Sequence, residues 1–222
     1  EFRFKSRTNP DTLPNCTGLT NTPIREELFI LKDDALPNFD ISSSLAITLE
    51  YFGSGSVTSS YSGSTFDPNN QYADLTLYVS GSTQYYSSSI NLPFYNKDWW
   101  NVMLQYDSGS NTFNLNTGNK IYIGNDGTKL GFTGSTSITV PTYNDTSGYR
   151  NATLMNSGIG GTDRFFGTGR SGSIKFSGSL QEIRYWTNLL SESAFNNHIM
   201  NPLSIETGHL TGSLSPVETL AF

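Results

Sequence analysis

The chain has 222 residues, of which only 14% are charged, against about 25% in an average globular protein. Aromatic residues make up 13%, which allows a core of a few large side chains and disfavours an intrinsically disordered chain. The net charge of −6, without a basic stripe, argues against a nucleic-acid binder. No apolar run approaches the roughly 20 residues of a membrane-spanning helix, so we expect no membrane insertion.

Short runs of alternating apolar and polar residues, separated by Gly, Ser, Asn and Pro clusters, predict β-strands along most of the chain. Within each of the clearest runs, large apolar side chains two residues apart are expected to share a face. They are Phe2 and Phe4; Leu45, Ile47, Leu49 and Tyr51; Leu75, Leu77 and Val79; and Trp100, Val102, Leu104, Tyr106, Phe113 and Leu115. Trp100 is expected to be structural.

Turn and breaker residues divide these strands. "DSGS" at 107–110 predicts a hairpin turn, and Pro93 ends a short strand or marks it as an edge strand. About ten short strands with almost no helix predict an all-β chain built as an antiparallel β-sandwich, with a barrel as the alternative. We expect one domain over residues 1–202 and a linker, or the start of a following segment, over 203–222.

The stretch "QEIRYW" combines an acid, a base and two aromatic rings. If it forms one continuous strand, four side chains line one face: Leu180, Glu182, Arg184 and Trp186. Because apolar groups then occupy both faces, the strand is expected to be central in its sheet. Glu182 and Arg184 are close enough to form an ion pair, which favours the ionised carboxylate, whereas a general acid must carry a proton. We therefore interpret Glu182, Arg184 and Trp186 as structural residues.

A short helix is predicted directly after this stretch. Ser191 is a suitable N-cap, and "NP" at 201–202 stops the helix. One apolar stripe is expected along it, formed by Ala194, Phe195, His198 and Ile199. We interpret His198 as a packed side chain. Because the only other histidine is His209 in the tail, the sequence disfavours a His-based metal site or catalytic triad.

The segment around this stretch carries a pattern close to F-x-G-x-[IL]-x-[DE]-[IV]-R-[IVY]-[YW], followed by "LS" before a short helix. Its residues are Phe176, Gly178, Leu180, Glu182, Ile183, Arg184, Tyr185, Trp186, Leu190 and Ser191. "EFRFKS", the strand containing Trp99 and Val102, and "NSGIGG" occur in the order expected for the same family. The chain thus resembles laminin-G-like domains of the concanavalin A-like jelly-roll family. It also resembles the members of that family embedded in virion proteins of large viruses and phages.

The resemblance implies a jelly-roll topology and raises the question of catalysis. Some relatives are glycosidases with carboxylates at alternating positions of one strand, which places the acids on the same side. Here the acidic pairs at 33–34 and 26–27 are adjacent in sequence and do not alternate. We therefore expect a protein that is not an enzyme.

Two kinds of ligand are compatible with the loops. Some relatives bind calcium at a loop rim, and Asp126 and Asp163 in Gly-rich loops are candidate ligands, although Asp is also common in turns. Glycan binding requires exposed aromatic platforms. The candidates are Tyr85, Tyr86, Tyr143, Tyr149, Phe165 and Phe166, which could instead cover loop backbones.

We expect a non-enzymatic structural or adhesion module of a virion or surface protein, located at a virion surface or outside the cell. Its loops are expected to contact neighbouring copies, other structural subunits or glycans, with no cofactor except possible calcium. A secreted or cell-surface lectin module is the alternative, and a glycoside hydrolase is a minor alternative.

Overall fold

A computed structural model describes the chain in ten ranges. They are residues 1–6, 24–31, 45–51, 72–80, 85–124, 127–141, 173–176, 178–186, 188–203 and 220–221. The chain divides into two compact units. Unit 1 comprises Glu1–Ser6, Lys97–Thr139 and Gly178–Phe222, and unit 2 comprises Arg7–Asn96 and Val140–Ser177.

Twelve strands and one helix make up the regular structure of the described residues. The strands are β1 (Phe2–Lys5), β2 (Ile24–Leu31), β3 (Leu45–Tyr51), β4 (Ala73–Ser80), β5 (Tyr85–Leu92), β6 (Trp100–Asp107), β7 (Thr112–Tyr122), β8 (Thr128–Thr139), β9 (Ser173–Lys175), β10 (Ser179–Gln181), β11 (Tyr185–Trp186) and β12 (Leu220–Ala221). The helix is α1 (Glu192–Met200). The predicted all-β class with one short helix is confirmed and is consistent with a sandwich, while sandwich packing and jelly-roll topology stay predictions.

Unit 1 contains a five-stranded antiparallel sheet in the order β10-β1-β6-β7-β8. The predicted turn after Asp107 joins β6 and β7 as a hairpin. Along this hairpin the predicted shared face is confirmed, because Tyr106 pairs with Phe113 and their rings stack at 4.6 Å. Trp100 is fully buried, as expected for a structural residue.

The predicted helix is confirmed, including its cap. The Ser191 hydroxyl accepts a hydrogen bond from the Ala194 N–H at 3.1 Å, which satisfies one donor of the first turn. The predicted stripe is buried along its length: Ala194, Phe195, His198 and Ile199. Gly118 on β7 permits the close approach of α1, because a Cβ there would lie 2.7 Å from the Ile199 Cδ1 atom. Among the described residues no helix is long and apolar enough to cross a membrane.

The predicted continuous strand through "QEIRYW" is wrong. Glu182 has a φ of 56°, in the left-handed region, and residues 182–184 belong to no strand. The stretch is therefore divided into β10, which is an edge strand of the unit 1 sheet, and β11, which pairs with β12. The expectation that the strand is central is wrong for the same reason.

The end of the chain is joined to the same region. β12 lies within the predicted linker over 203–222, yet it pairs antiparallel with β11 through Tyr185 opposite Ala221 and Trp186 opposite Leu220. The predicted boundary at residue 202 stays a prediction.

Unit 2 contains a second five-stranded sheet, in the order β5-β4-β3-β2-β9. All its neighbouring strands are antiparallel except β2 and β9, which are parallel. The predicted shared faces on β3 and β4 are confirmed. The side chains concerned are all buried: Leu45, Ile47, Leu49, Tyr51, Leu75, Leu77 and Val79. β5 ends before Pro93 and is an edge strand, as that proline predicts.

Candidate functional site

The strands of unit 2 that bury apolar residues on one face carry polar residues on the other. Because side chains alternate along a strand, the residues between the buried Leu and Ile positions point to the opposite side of the sheet. We call this surface the polar face and define it by Arg25, Thr48, Glu50, Asp74, Thr76, Tyr78, Ser87, Ser89 and Asn91. It collects charged and hydroxyl groups from four neighbouring strands.

A buried carboxylate occupies the inner part of the polar face. Glu50 is 4% exposed, and its Oε1 atom accepts three hydrogen bonds. Arg25 Nε donates at 2.7 Å, the Tyr78 hydroxyl at 2.6 Å and the Thr48 hydroxyl at 3.1 Å. Arg25 lies directly opposite Glu50 in the register of β2 and β3, so the strand pairing itself aligns the ion pair.

The electrostatics of this cluster raise the pKa values of Arg25 and Tyr78. Burial alone would lower the pKa of Arg25, but the charge and hydrogen bond of Glu50 raise it above its usual value. Burial raises the pKa of Tyr78, and the neighbouring Glu50 carboxylate raises it further. The cluster therefore holds a charged Arg25 and a protonated Tyr78 around the carboxylate at neutral pH.

A second carboxylate, Asp74, lies opposite Glu50 across β3 and β4. Asn91 Nδ2 donates to Asp74 Oδ1 at 2.5 Å from the neighbouring strand β5. Burial raises the pKa of Asp74 above its usual value, the Asn91 hydrogen bond opposes this, and the Glu50 charge adds to it. The Asn91 Oδ1 atom is buried and has no hydrogen-bond partner in the described part of the chain. Asp74 itself is partly exposed, so its carboxylate can still accept a hydrogen bond from a donor outside the chain.

The outer edge of the polar face is open. β5 is the edge strand, and the side chains of Tyr85, Ser87 and Ser89, which alternate along it, are exposed. The predicted aromatic pair is therefore divided between the two faces. Tyr85 lies on the side of Ser87 and Asn91 and is 38% exposed, whereas Tyr86 lies on the opposite side and is half-buried.

The other predicted ligand residues lie outside the described residues: Tyr143, Tyr149, Phe165, Phe166, Asp126 and Asp163. Within the described ranges no group of three or more His, Cys, Asp or Glu side chains is placed to hold a metal ion. The calcium site and the loop platforms stay predictions.

The ion pair predicted within "QEIRYW" is confirmed, with Arg184 Nη2 lying 2.9 Å from Glu182 Oε2. Arg184 is 7% exposed, and its Nη2 also donates to the Pro202 carbonyl beyond the end of α1. The backbones of Arg184 and Glu1 exchange two hydrogen bonds of 2.8 Å. Arg184 thus joins three separate segments of unit 1, which is a structural role.

His198 is a packed histidine, as expected. It is fully buried and stacks on Trp186, with ring centroids 5.4 Å apart and planes at 12°. Glu1 Oε2 lies 3.0 Å from His198 Nδ1 and accepts a hydrogen bond from Trp186 Nε1 at 3.0 Å. Burial alone would raise the pKa of Glu1, but the hydrogen bond and charge of His198 outweigh it and lower the pKa.

A Glu–His pair can orient an imidazole for general-base catalysis, but this one has no access to a substrate. His198 Nε2, the atom that would act as base, is enclosed and has no partner among the described residues. A general base must lie within hydrogen-bond reach of the proton that it removes. The cluster of Glu1, Trp186 and His198 therefore stabilises unit 1.

Sequence reasoning missed the residues that dominate the polar face: Arg25, Glu50, Asp74 and Asn91. The signal was present, since the alternation that places Leu45, Ile47 and Leu49 together also places Glu50 on the other side. What could not be read locally was that β2, β4 and β5 bring their polar residues beside this one.

The comparisons with known proteins add no relative. No family model and no curated protein matches the sequence, and no solved structure matches the fold. The laminin-G-like resemblance therefore stays a prediction.

Proposed function

We propose that the chain is a non-enzymatic adhesion module of a virion or surface structural protein that binds a neutral glycan on the polar face of unit 2. The observation that carries the proposal is the Asp74–Asn91 pair beside the exposed edge of β5. Asp74 is partly exposed, and a carboxylate accepts hydrogen bonds from sugar hydroxyls. Two exposed serine hydroxyls and the ring of Tyr85 continue the row.

The dimensions of this row suit an oligosaccharide. Asn91 and Tyr85 are six residues apart on one strand, which corresponds to about 20 Å at the usual rise per residue. Tyr85 at one end offers an aromatic face for stacking, while the polar pair near the other end offers directional hydrogen bonds. A ligand of several linked sugar rings would contact both ends.

Binding is favoured over hydrolysis by the state of Glu50. A retaining glycosidase needs an accessible carboxylate nucleophile beside a general acid. Here one oxygen of Glu50 already accepts three hydrogen bonds, and its side chain is 6% exposed. Glu50 therefore orders the polar face, and Asp74 is the carboxylate that a ligand would contact.

The proposed site can be tested with a glycan array probed by the full chain, with and without EDTA. We expect binding of neutral oligosaccharides that carry no acetamido group, and we expect Asp74→Asn to abolish it. Tyr85→Ala should weaken it about tenfold, which is the effect of roughly 1.4 kcal/mol. Tyr122→Ala is the matched control, because Tyr122 is 74% exposed and lies in unit 1. If both unit 2 variants bind like the wild type, the polar face is not the site.

Contact with neighbouring subunits is the second part of the proposal, and the edge strand β8 supports it. β8 is 12 residues long and ends the order of the unit 1 sheet. A long edge strand offers backbone donors and acceptors to another chain. Imaging of the native assembly tests this role: a domain found repeatedly in ordered contact with other subunits supports it, and one found projecting freely contradicts it.

A further inference from the structure

A second polar recess lies in unit 1 and shares no residue with the polar face. It is a groove of about 380 Å³ between the face of β6–β8 that carries Gln105 and Asn114 and the segment that enters α1. We call it the amide groove and define it by its lining: Met103, Gln105, Asn114, Asn116, Ser135, Thr136, Ser137, Leu190 and Glu192. Its volume falls within the range of about 300–1,000 Å³ that is usual for small-molecule sites.

Strand register arranges the floor of the amide groove as two parallel rows. One row runs from Met103 across Asn116 to Ser135, and the other from Gln105 across Asn114 to Ser137. Neighbouring strands lie about 4.8 Å apart and the rows about 6.7 Å apart, so amide and hydroxyl groups alternate over a small area. Such spacing lets several hydroxyls of one ring be bound at once.

The polar groups of this floor have hydrogen-bonding capacity to spare. The side chains of Asn114, Asn116, Ser135 and Ser137 make no hydrogen bond within the described part of the chain. Both serines are exposed and both asparagines are partly exposed, so a ligand can reach all four. Gln105 is different, because its Nε2 atom donates to the Leu190 carbonyl at 2.9 Å and fixes the wall of the groove.

The lining also restricts the charge and shape of a ligand. Glu192 is the one charged residue among the nine, so the groove has no cation to hold a phosphate or a carboxylate. Met103 and Leu190 form an apolar corner that is continuous with the packing of Phe195 and Ile199. The first row ends at this corner, so that an apolar substituent could lie on Met103 beside the amide of Asn116.

We propose that the amide groove is a second saccharide site, specific for a neutral N-acetylhexosamine. The acetamido methyl packs on Met103 and Leu190, the acetamido group bonds to Asn116, and ring hydroxyls bond to Asn114, Ser135 and Ser137. This site is independent of the polar face, since it lies in the other unit and shares no residue with it.

The test is a titration of the full ¹⁵N-labelled chain with N-acetylglucosamine, N-acetylgalactosamine, glucose and N-acetylneuraminic acid, followed by NMR. At least one N-acetylhexosamine should shift the side-chain amide signals of Asn114 and Asn116. It should bind about fourfold more tightly than glucose, the effect expected from burying one methyl-sized group. Equal or tighter binding of glucose or of the anionic sugar overturns the proposal, as does the absence of shifts with both N-acetylhexosamines.

Variants locate the binding. Asn116→Ala and Ser137→Ala should each weaken it at least threefold while leaving the fold intact, since both positions are partly or fully exposed. The matched controls are Asn197→Ala, which removes an exposed amide from α1, and Thr139→Ala, which removes an exposed hydroxyl from the same strand. Equal weakening by the controls overturns the proposal.

The failure of this site can be distinguished from failure of the polar face. Asp74→Asn should leave the groove signals and the N-acetylhexosamine affinity unchanged. Loss of N-acetylhexosamine binding in that variant would assign the ligand to unit 2 and overturn the second site.

Discussion

The two units each hold a carboxylate at least partly away from water, but the two carboxylates have different roles. In unit 1, Glu1 bonds to Trp186 and His198, and this contact holds strand β11 and helix α1 to the start of the chain. In unit 2, Asp74 lies on a sheet face whose edge is open, and its pKa is raised while that of Glu1 is lowered. A carboxylate with a lowered pKa stabilises its fold, whereas one with a raised pKa is held at a cost. Beside the open edge of a sheet, such a costly group is a candidate for binding a ligand.

The largest expected effect is on the unit 1 cluster. Trp186→Ala removes the hydrogen bond to Glu1 and the stacking on His198, and we expect it to lower the free energy of unfolding by about 3 kcal/mol. Urea unfolding measures this value, with Tyr185→Ala as the control because the neighbouring Tyr185 is more exposed. If Trp186→Ala folds normally and loses only ligand binding, the structural role of this cluster is wrong.

Arg184→Ala should have the second largest effect and lower the free energy of unfolding by about 2 kcal/mol. The substitution leaves the Pro202 carbonyl and the Glu182 carboxylate without the guanidinium donor. Lys120→Ala is the matched control. Lys120 also donates to a carbonyl at the end of α1, that of Met200 at 3.3 Å, but it is only half-buried. If Lys120→Ala lowers the free energy of unfolding as much as Arg184→Ala does, the role of Arg184 in joining three segments of unit 1 is contradicted.

The lowered pKa of Glu1 predicts how unit 1 responds to acid. Its stabilising contribution is present above the unfolded-state pKa of about 4.5 and is lost as the pH falls through the lower folded-state pKa. Glu1→Gln should therefore be less stable than the wild type at pH 7, by about 1 kcal/mol, and the two should converge in acid. Unfolding curves recorded across this pH range check the convergence, and a constant difference would contradict it.

For Asp74 we expect a pH dependence of stability opposite in sign to that of Glu1. We also expect the smallest change in the free energy of unfolding. The folded-state pKa of Asp74 lies above the ordinary value of 3.8. The free energy of unfolding therefore falls as the pH rises from the unfolded-state pKa to the folded-state pKa. Asp74→Asn removes that loss, so it should leave the protein as stable as the wild type at pH 7, or more stable by less than about 1 kcal/mol. Thermal unfolding at pH 7 measures this, and a clear destabilisation would make Asp74 a structural residue like Glu1.

Local patterns predicted a large part of the fold. The alternation at Leu45, Ile47 and Leu49 was sufficient for β3, since a strand with one apolar face repeats every two residues. The N-cap Ser191 and the stripe containing Phe195 were sufficient for α1. In both cases the chemistry that determines the element lies within the element itself.

The break at Glu182 could not be predicted in this way. Alternation from Leu180 to Trp186 favours one strand, and Glu is an unusual residue at a positive φ. Contacts distant in sequence oppose the alternation: β10 pairs with β1, Arg184 bonds with Glu1, and β11 pairs with β12. The candidate site was missed for a related reason, because Asp74, Asn91 and Glu50 become neighbours only when their strands pair.

The position of β1 has a consequence for the order of folding. β1 lies between β10 and β6, so Phe4 pairs with both Leu180 and Trp100. When the partners of a strand are this far apart in sequence, long loops must close before the strand can pair. The entropic cost of loop closure precedes the stabilising contacts, so such topologies fold slowly. During synthesis the first residues of the chain must remain unpaired on the β10 side until the segment near residue 180 leaves the ribosome. Unit 1 is therefore completed late, while the hairpin of β6 and β7 can form early.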